Sequence, residues 1–154
     1  MSSDELSNLS DDDLFEAVLI RTGSKVDSFE SPEEGIKALN DKERIFYAVS
    51  SLDLELDNGG LCQFFANSSR EVASMVSECM RYIGADEHSK LYDDFICKYD
   101  IDVNDLSSFD SETEEEFSKQ YERYPFDEFD DEFCYIEPLQ DYLIKFIKEN
   151  IKDF

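Results

Sequence analysis

Acidic side chains outnumber basic ones by 39 to 14, so the chain carries a formal net charge of -25. A charge of this size opposes compaction because like charges repel one another. Leu, Ile, Val and Phe nevertheless supply 42 of the 154 residues, well above the roughly 20% below which highly charged chains are disordered. We therefore predict one folded domain over residues 1–154, whose stability rises with added salt.

The acid excess also restricts the class of partner. Proteins bind nucleic acids and anionic membrane surfaces through Lys and Arg, which neutralise phosphates. We therefore expect no direct contact with nucleic acid or membrane, and a basic protein as the partner. The first residues, MSSDELSNLSDDD, lack the regions of a secretory signal, and no apolar stretch approaches the ~20 residues that span a bilayer. The sequence thus indicates a cytoplasmic protein.

Apolar residues recur every three or four positions along most of the chain, which is typical of helices. The sequence predicts an all-α fold, a single-domain compact bundle of about six to eight helices. Gly23 and Gly84 are expected to end two of them, with loops at residues 24–31 and 100–110. A Phe repeat in FDEFDDEFCYI indicates a helix near residue 126, and the other predicted helices begin near Ser10, Ser31, Asp41, Ser69, Asp86, Ser111 and Pro138.

Residues 52–60, LDLELDNGG, fit a strand before a hairpin, a calcium loop or the end of a helix. The alternation is short and continues the helical spacing that begins at Asp41, so we predict a helix ending at Asn58. A calcium loop needs Gly at its sixth position and Glu at its twelfth, where this stretch has Asn58 and Phe64. A count from Asp100 fails at the same two positions. We therefore predict no metal site.

No residue pattern indicates catalysis. The only histidine, His88, is predicted at the edge of an apolar helix face, with no nucleophile at a catalytic spacing nearby. Pairs of carboxylates carry no information among 39 acidic residues. The four cysteines have no CxxC spacing and are expected to be reduced and packed as small apolar side chains. We predict no enzymatic activity and no cofactor.

Charge is concentrated in residues 110–132, which contain 11 acidic and two basic residues, for a net of -9. If mostly helical, this segment is roughly 35 Å long at ~1.5 Å per residue, or one net charge per ~4 Å. One strand of duplex DNA carries a charge every ~3.4 Å along the axis. A DNA-binding protein could therefore mistake the segment for DNA, although a solvated helix face explains the charge equally well.

Residues 52–69, LDLELDNGGLCQFFANSS, hold polar and aromatic residues in a fixed order. This order resembles the signature of the DNA mimic protein family, small acidic bacterial proteins of otherwise undefined function. The likeness covers about residues 41–154 and leaves residues 1–40 as an N-terminal helical extension. The positions that match are Glu55, Asn58, Gly59, Gly60, Gln63, Phe64, Phe65 and Asn67.

The motif is interpreted as structural. Gly59 and Gly60 permit a tight turn between helices, and the adjacent phenylalanines are expected to fill the core beneath it. Asn58, Gln63 and Asn67 are expected to satisfy backbone groups around the turn.

The resemblance implies an acidic, largely helical protein that regulates transcription by occupying the DNA-binding surface of a transcription factor or another nucleic-acid-binding protein. An immunity-type inhibitor of a nuclease toxin remains an alternative, as does, with less support, a metal-binding or enzymatic helical protein. A homodimer that presents a longer acidic surface is also left open. Aspartates 11–13 could extend that surface, and the residues predicted as phosphate mimics are Asp110, Glu112, Glu114, Glu115, Glu116, Glu122, Asp127, Glu128, Asp130 and Asp131.

Overall fold

The computed structural model describes residues 1–154 and contains helices without strands. The all-α prediction is confirmed, and eight of the ten α-helices have seven or more residues. Three 3₁₀ helices accompany them, at Ser68–Val72, Ser107–Phe109 and Ile151–Asp153. The α-helices are α1 (Ser3–Ser7), α2 (Asp11–Asp27), α3 (Pro32–Ala38), α4 (Asp41–Asn58), α5 (Leu61–Ala66), α6 (Val76–Tyr82), α7 (Asp86–Lys98), α8 (Glu114–Glu122), α9 (Phe126–Tyr135) and α10 (Leu139–Glu149).

Polar caps set several of the helix starts that the sequence predicted. The Ser10 and Ser31 side chains each accept a hydrogen bond from the backbone amide three residues on, at 3.3 Å. Asn40 and Glu43 form a reciprocal capping box at the start of α4. The Lys25 ammonium lies 2.5 Å from the buried Glu43 carboxylate, which ties α2 to α4.

Helix α2 continues through Gly23 to Asp27, so the predicted helix end at Gly23 is wrong. Glycine inside a helix costs roughly 1 kcal/mol relative to alanine. That cost is offset because Thr22 and Val26 are buried on the core face, where the Thr22 hydroxyl donates to the Val18 carbonyl at 2.9 Å. The loop predicted at residues 24–31 is correspondingly shorter.

The apolar stripe from Ser69 to Ile83 was predicted as one helix, but the structure divides it into a 3₁₀ helix, a turn and α6. The buried Tyr92 hydroxyl of α7 donates to the Ala73 carbonyl at 2.7 Å. This bond satisfies the carbonyl where the chain turns between the two helical pieces. Gly84, at φ 91°, then ends the second piece where the sequence predicted.

An aromatic cluster forms the centre of the core. Phe65 of α5 contacts Phe109 and Phe126, with ring centroids 5.2 and 6.3 Å apart, and Phe95 of α7 lies 5.3 Å from Phe126. Such pairs add stabilisation beyond the area that they bury. The cluster therefore joins α5, α7 and α9 to the segment around residue 109.

The first forty residues pack into the same core as the rest of the chain. Leu14 and Val18 of α2 are almost fully buried, and α2 packs against α4 and α10. The Phe15 ring lies 5.7 Å from the Phe46 ring of α4, which in turn contacts Phe154 at 5.9 Å. The N-terminal helices are thus covered by the last part of the chain.

Candidate functional site

Helices α8 and α9 build the acidic surface, which we define as the exposed carboxylates of residues 110–132. Thr113 caps α8 by accepting from the Glu116 amide at 3.2 Å, and three glutamates occupy the first turn, where the helix dipole favours anions. Helix α9 buries Phe126, Phe129 and Phe133 on one face. Its intervening acidic residues point to solvent, with the exception of Asp130, which is partly buried.

The acidic surface is not one continuous helix. Helix α8 ends at Glu122 and α9 begins at Phe126, with Pro125 as the residue before the first helical turn. Proline lacks an amide hydrogen and cannot continue the preceding helix. The structure thus has two helices here, of 9 and 10 residues, as the predicted helix starts near Ser111 and residue 126 indicated, and the length of roughly 35 Å for a straight helix does not apply.

Nine of the ten predicted phosphate mimics are exposed, Asp130 being the exception. Five of the nine have side chains that make no hydrogen bond or ion pair within the chain, although the backbone amide of one of them, Glu112, donates to a neighbouring carboxylate. Carboxylates without internal partners remain available to a cationic partner. These five are Glu112, Glu114, Glu122, Glu128 and Asp131.

The other four exposed carboxylates already have partners in the chain. Arg70 lies 2.7 Å from Asp110, and Lys119 lies 3.7 Å from Glu115 one helical turn away. Glu116 accepts from a backbone amide at 2.7 Å, and Asp127 accepts from the Tyr121 hydroxyl. These contacts are on the protein surface, where an ion pair contributes little and exchanges readily.

Asp130 has a structural contact that the sequence did not reveal. Its Oδ1 accepts from the Leu61 amide at 3.0 Å, at the start of α5. A Cβ at Gly60 would lie 2.0 Å from Asp130 Oδ2, so the carboxylate occupies the space left by that glycine. Burial raises the pKa of Asp130 to about 6. A half-buried carboxylate bound in this way is poorly placed to contact a partner.

The acidic surface continues into a groove between α7 and α9, of about 190 Å³. Its walls include Phe95, Tyr99 and Phe129, and its rim carries Glu128 and Glu132. Carboxylates above aromatic rings can hold the charged end and the alkyl stem of a Lys or Arg side chain. Glu132 was left out of the predicted mimics, although its position one helical turn after Glu128 would have indicated the shared face.

The family signature surrounds one carboxylate. Glu55 Oε2 accepts from Gln63 Nε2 at 2.9 Å and from Asn67 Nδ2 at 3.1 Å. The expectation that these two amides satisfy backbone groups is therefore wrong: they bind a side chain of α4 and tie it to α5. The Asn58 side chain, also expected to serve the backbone, makes no hydrogen bond. Phe64 and Phe65 are fully buried, as expected.

The turn leaves no room for a Cβ at either glycine, and at Gly60 the backbone conformation also favours glycine. The backbone amides of Gly59 and Gly60 both donate to the Glu55 carbonyl at 2.9 Å, which closes the end of α4. Gly60 has φ 88°, a conformation that other residues rarely adopt. Residues 52–60 are thus the end of a helix and the turn after it, with Asn58 as the last residue of α4.

Aspartates 11–13 occupy the first turn of α2 and are exposed. Asp11 lies 2.5 Å from Lys148 of α10, and Asp13 accepts from the Ser10 hydroxyl at 2.7 Å. Helix α2 packs against α1, α3, α4 and α10, whereas α9 packs against α5 and α7. The structure therefore places these aspartates in a different group of helices from the acidic surface.

No group of three or more His, Cys, Asp or Glu residues is arranged to hold a metal ion. His88 is buried rather than at the edge of its helix face, and its Nε2 lies 2.7 Å from the Glu137 carbonyl. The Phe133 and Tyr142 rings flank it at 5.0 and 5.5 Å. Burial lowers the pKa of His88, so the imidazole is neutral at pH 7 and packs as a core side chain.

The cysteines divide into two kinds. Cys62 and Cys79 are buried, and desolvation raises their thiol pKa values to about 12 and about 11. Cys97 and Cys134 are exposed, which corrects the expectation that all four pack in the interior. They lie at the solvent-facing ends of the amphipathic helices α7 and α9.

No helix has both the length and the apolar composition needed to cross a bilayer.

In the comparison with known proteins, the family model described as DMP19-like protein matches residues 37–150. Neither the search of curated proteins nor the search of solved structures returned a match. The family match spans well over half of the chain and includes the Asn-Gly-Gly turn, α5, α8 and α9. The chain therefore belongs to the DMP19-like protein family.

Proposed function

We propose that this chain is an acidic interaction protein that imitates DNA. It docks on the basic nucleic-acid-binding surface of a transcription factor or another nucleic-acid-binding protein and blocks that surface. The proposal assigns the chain no enzymatic activity, cofactor or metal, and it places the chain in the cytoplasm with its partner.

The observation that carries the proposal is the set of unpartnered carboxylates on two adjacent acidic helices. Glu114 and Glu122 of α8 and Glu128 and Asp131 of α9 are exposed, and their side chains make no hydrogen bond or ion pair within the chain. Membership of a family of DNA mimics supports the same reading. Complementary charge of this kind speeds association and selects against acidic partners more than it adds affinity.

The groove between α7 and α9 adds a means of orientation. An exposed carboxylate can attract a basic side chain from many directions, whereas a groove that has Tyr99 in its wall and carboxylates at its rim would admit that side chain from one direction. A Lys or Arg of the partner that is seated between Glu128 and Glu132 would fix how the two proteins meet.

The test begins with capture of partners from a lysate of the source cell on the immobilised chain. Retained proteins are identified by mass spectrometry, and the purified candidate is then titrated on its own labelled duplex DNA by fluorescence anisotropy. We expect the wild-type chain to displace the DNA. A variant with Glu114→Gln, Glu122→Gln, Glu128→Gln and Asp131→Asn should displace it at least about tenfold less well, because four surface charge contacts are lost.

The matched control neutralises four exposed acidic residues elsewhere and so has the same net charge. It should displace DNA like the wild-type chain. Equal loss in both variants would show that only total charge matters and would remove α8 and α9 from the proposal. A captured nuclease in place of a DNA-binding regulator would favour the toxin-inhibitor alternative. The control substitutions are Glu30→Gln, Glu34→Gln, Glu71→Gln and Glu78→Gln.

A further inference from the structure

A groove lies between α1 and α2, far from the acidic helices in sequence. It is an open groove of about 630 Å³, within the size range of protein binding pockets. Five of its eight lining residues are apolar, and the other three are charged. The lining residues are Met1, Leu6, Leu9, Asp13, Glu16, Ala17, Ile20 and Arg21.

Helix α2 has two apolar faces, and only one of them serves the core. Leu14, Val18 and Val26 are buried in the interior. Ala17 and Ile20 face the groove instead, and the Ile20 side chain is 60% exposed. The Arg21 guanidinium donates to the Met1 carbonyl at 3.0 Å and holds the first residues along α2, which keeps the groove formed.

The charge around the groove selects the occupant. Asp13 and Glu16 line it, and residues 1–36 contain ten acidic and two basic residues. A second copy of the chain would bring the same negative charge to the same place, and an anionic membrane would be repelled as well. A segment with apolar side chains and flanking Lys or Arg matches both the apolar residues of the groove, Ala17 and Ile20, and its carboxylates.

We propose that the groove between α1 and α2 binds a cationic amphipathic helix from a partner protein. Apolar side chains of that helix, spaced by three and four residues, would lie on Ala17 and Ile20, and its basic side chains would meet Asp13 and Glu16. Imitation of DNA does not call for an apolar groove, so this surface recognises something other than a nucleic-acid-binding face. The groove also precedes the residues matched by the family, 37–150, and is a feature of this chain's own N-terminal helices.

The probe is a labelled synthetic peptide of about 15 residues, made of Leu and Lys with the Leu residues on one helical face. Its affinity for the wild-type chain is measured by fluorescence anisotropy at about 0.15 M salt, where distant charges are screened. Two control peptides are used: one with the same composition but Leu spread around the helix, and one with Glu in place of Lys. We expect both controls to bind at least about tenfold more weakly, since each lacks either the apolar face or the charge.

Variants of the chain locate the contact. Ile20→Asn should weaken the amphipathic peptide by about tenfold because it removes apolar area from the groove without altering the charge. Leu54→Asn is the matched control, since Leu54 is also an exposed aliphatic residue, at 39%, but lies on α4. It should leave binding within about twofold.

Three results would overturn the inference. The first is equal binding of the spread-Leu peptide, which would reduce the interaction to general charge. The second is equal loss, or no loss, in the Ile20 and Leu54 variants. The third is a wild-type dimer, seen by analytical ultracentrifugation, that Ile20→Asn converts to a monomer, because a second copy would then fill the groove. The peptide comparison uses the wild-type chain alone and therefore holds even if a variant folds poorly.

Discussion

The conformation of Gly60 makes it the least replaceable residue of the motif. Its φ of 88° disfavours any side chain, and the space beside it is filled by the Asp130 carboxylate. The two penalties act together, because moving the carboxylate away would also break its hydrogen bond to the Leu61 amide. A single atom added here therefore disturbs both α5 and α9.

We expect Gly60→Ala to lower the free energy of unfolding by about 2–3 kcal/mol. The matched control is Gly23→Ala, which is in the middle of α2 with no atom within 4 Å of the added methyl. That change should raise stability by about 0.5–1 kcal/mol because alanine favours the helix. Urea denaturation followed by circular dichroism measures both. Similar values for the two variants would contradict the role given to the turn.

The sequence alone predicted some of the contacts around this turn and not others. The sequence indicated that Gly59 and Gly60 form a turn and that Phe64 and Phe65 fill the core, because those roles follow from local conformation and size. It could not indicate that Asp130 supports the turn, since the two residues are about seventy positions apart. Helical spacing does place Asp130 on the face of Phe126 and Phe133, but only the fold brings that face against the Leu61 amide.

At the scale of the helices, the apolar stripe of residues 69–83 is divided into a 3₁₀ helix and α6, and this division depends on a neighbouring helix. The Tyr92 hydroxyl of α7 donates to the Ala73 carbonyl, and both groups are buried. Burial also raises the pKa of Tyr92, so the hydroxyl keeps its proton and remains a donor.

Tyr92→Phe should therefore destabilise the chain by about 1–2 kcal/mol, because the Ala73 carbonyl would be left buried without a partner. In this variant, amide hydrogen exchange should speed up relative to the wild-type chain more at residues 73–76, where the chain turns into α6, than in the rest of α6. Tyr82→Phe is the control, since Tyr82 is 59% exposed and water can replace its bonds. A wild-type exchange pattern in the Tyr92 variant would contradict the assignment.

Helices with a clear apolar period were predicted well: α4 and α7 begin and end, and α10 begins, close to where the sequence indicated. The errors fell where a contact distant in sequence opposes the local signal. Gly23 does not end α2 because Val26 beyond it is buried, and the 69–83 stripe is interrupted at a carbonyl bound by α7. For the acidic surface, the sequence indicated the segment that carries it. Which residues of α9 point outward follows from the burial of Phe126, Phe129 and Phe133 on the other face.

At the scale of the whole molecule, the net charge of -25 should make stability depend on salt. Nine ion pairs are present, too few to neutralise 39 acidic side chains. We expect the midpoint of thermal unfolding to rise between 0.02 and 0.5 M NaCl, roughly, because screening shortens the range of the repulsion. The variant of α8 and α9 in which four carboxylates are neutralised should show a smaller rise of this midpoint. A midpoint independent of salt would mean that the charges are already balanced locally.

Asp53 and Asp130 should add stability as the pH falls from about 7 to about 5, whereas His88, whose pKa burial lowers, should subtract from it over the same range. Burial raises the pKa of both Asp53 and Asp130 from 3.8 to about 6. A carboxyl whose pKa is higher in the folded chain binds more protons when folded, so lowering the pH through 6 favours the folded state, by about 1 kcal/mol for each group. The double variant Asp53→Asn and Asp130→Asn should have a flatter pH profile in urea denaturation. An unchanged profile would contradict the assignment to these two carboxyls.

The arrangement of thiols supplies a natural pair of labelling positions. Cys97 and Cys134 are exposed, while Cys62 and Cys79 are buried with raised thiol pKa values and scarcely any thiolate at neutral pH. A maleimide spin label should therefore attach to two positions in the folded chain and to all four after denaturation. Because Cys97 lies on α7 and Cys134 on α9, the distance between two such labels would report whether the groove between α7 and α9 opens or closes when a partner binds in it. No engineered cysteine is needed.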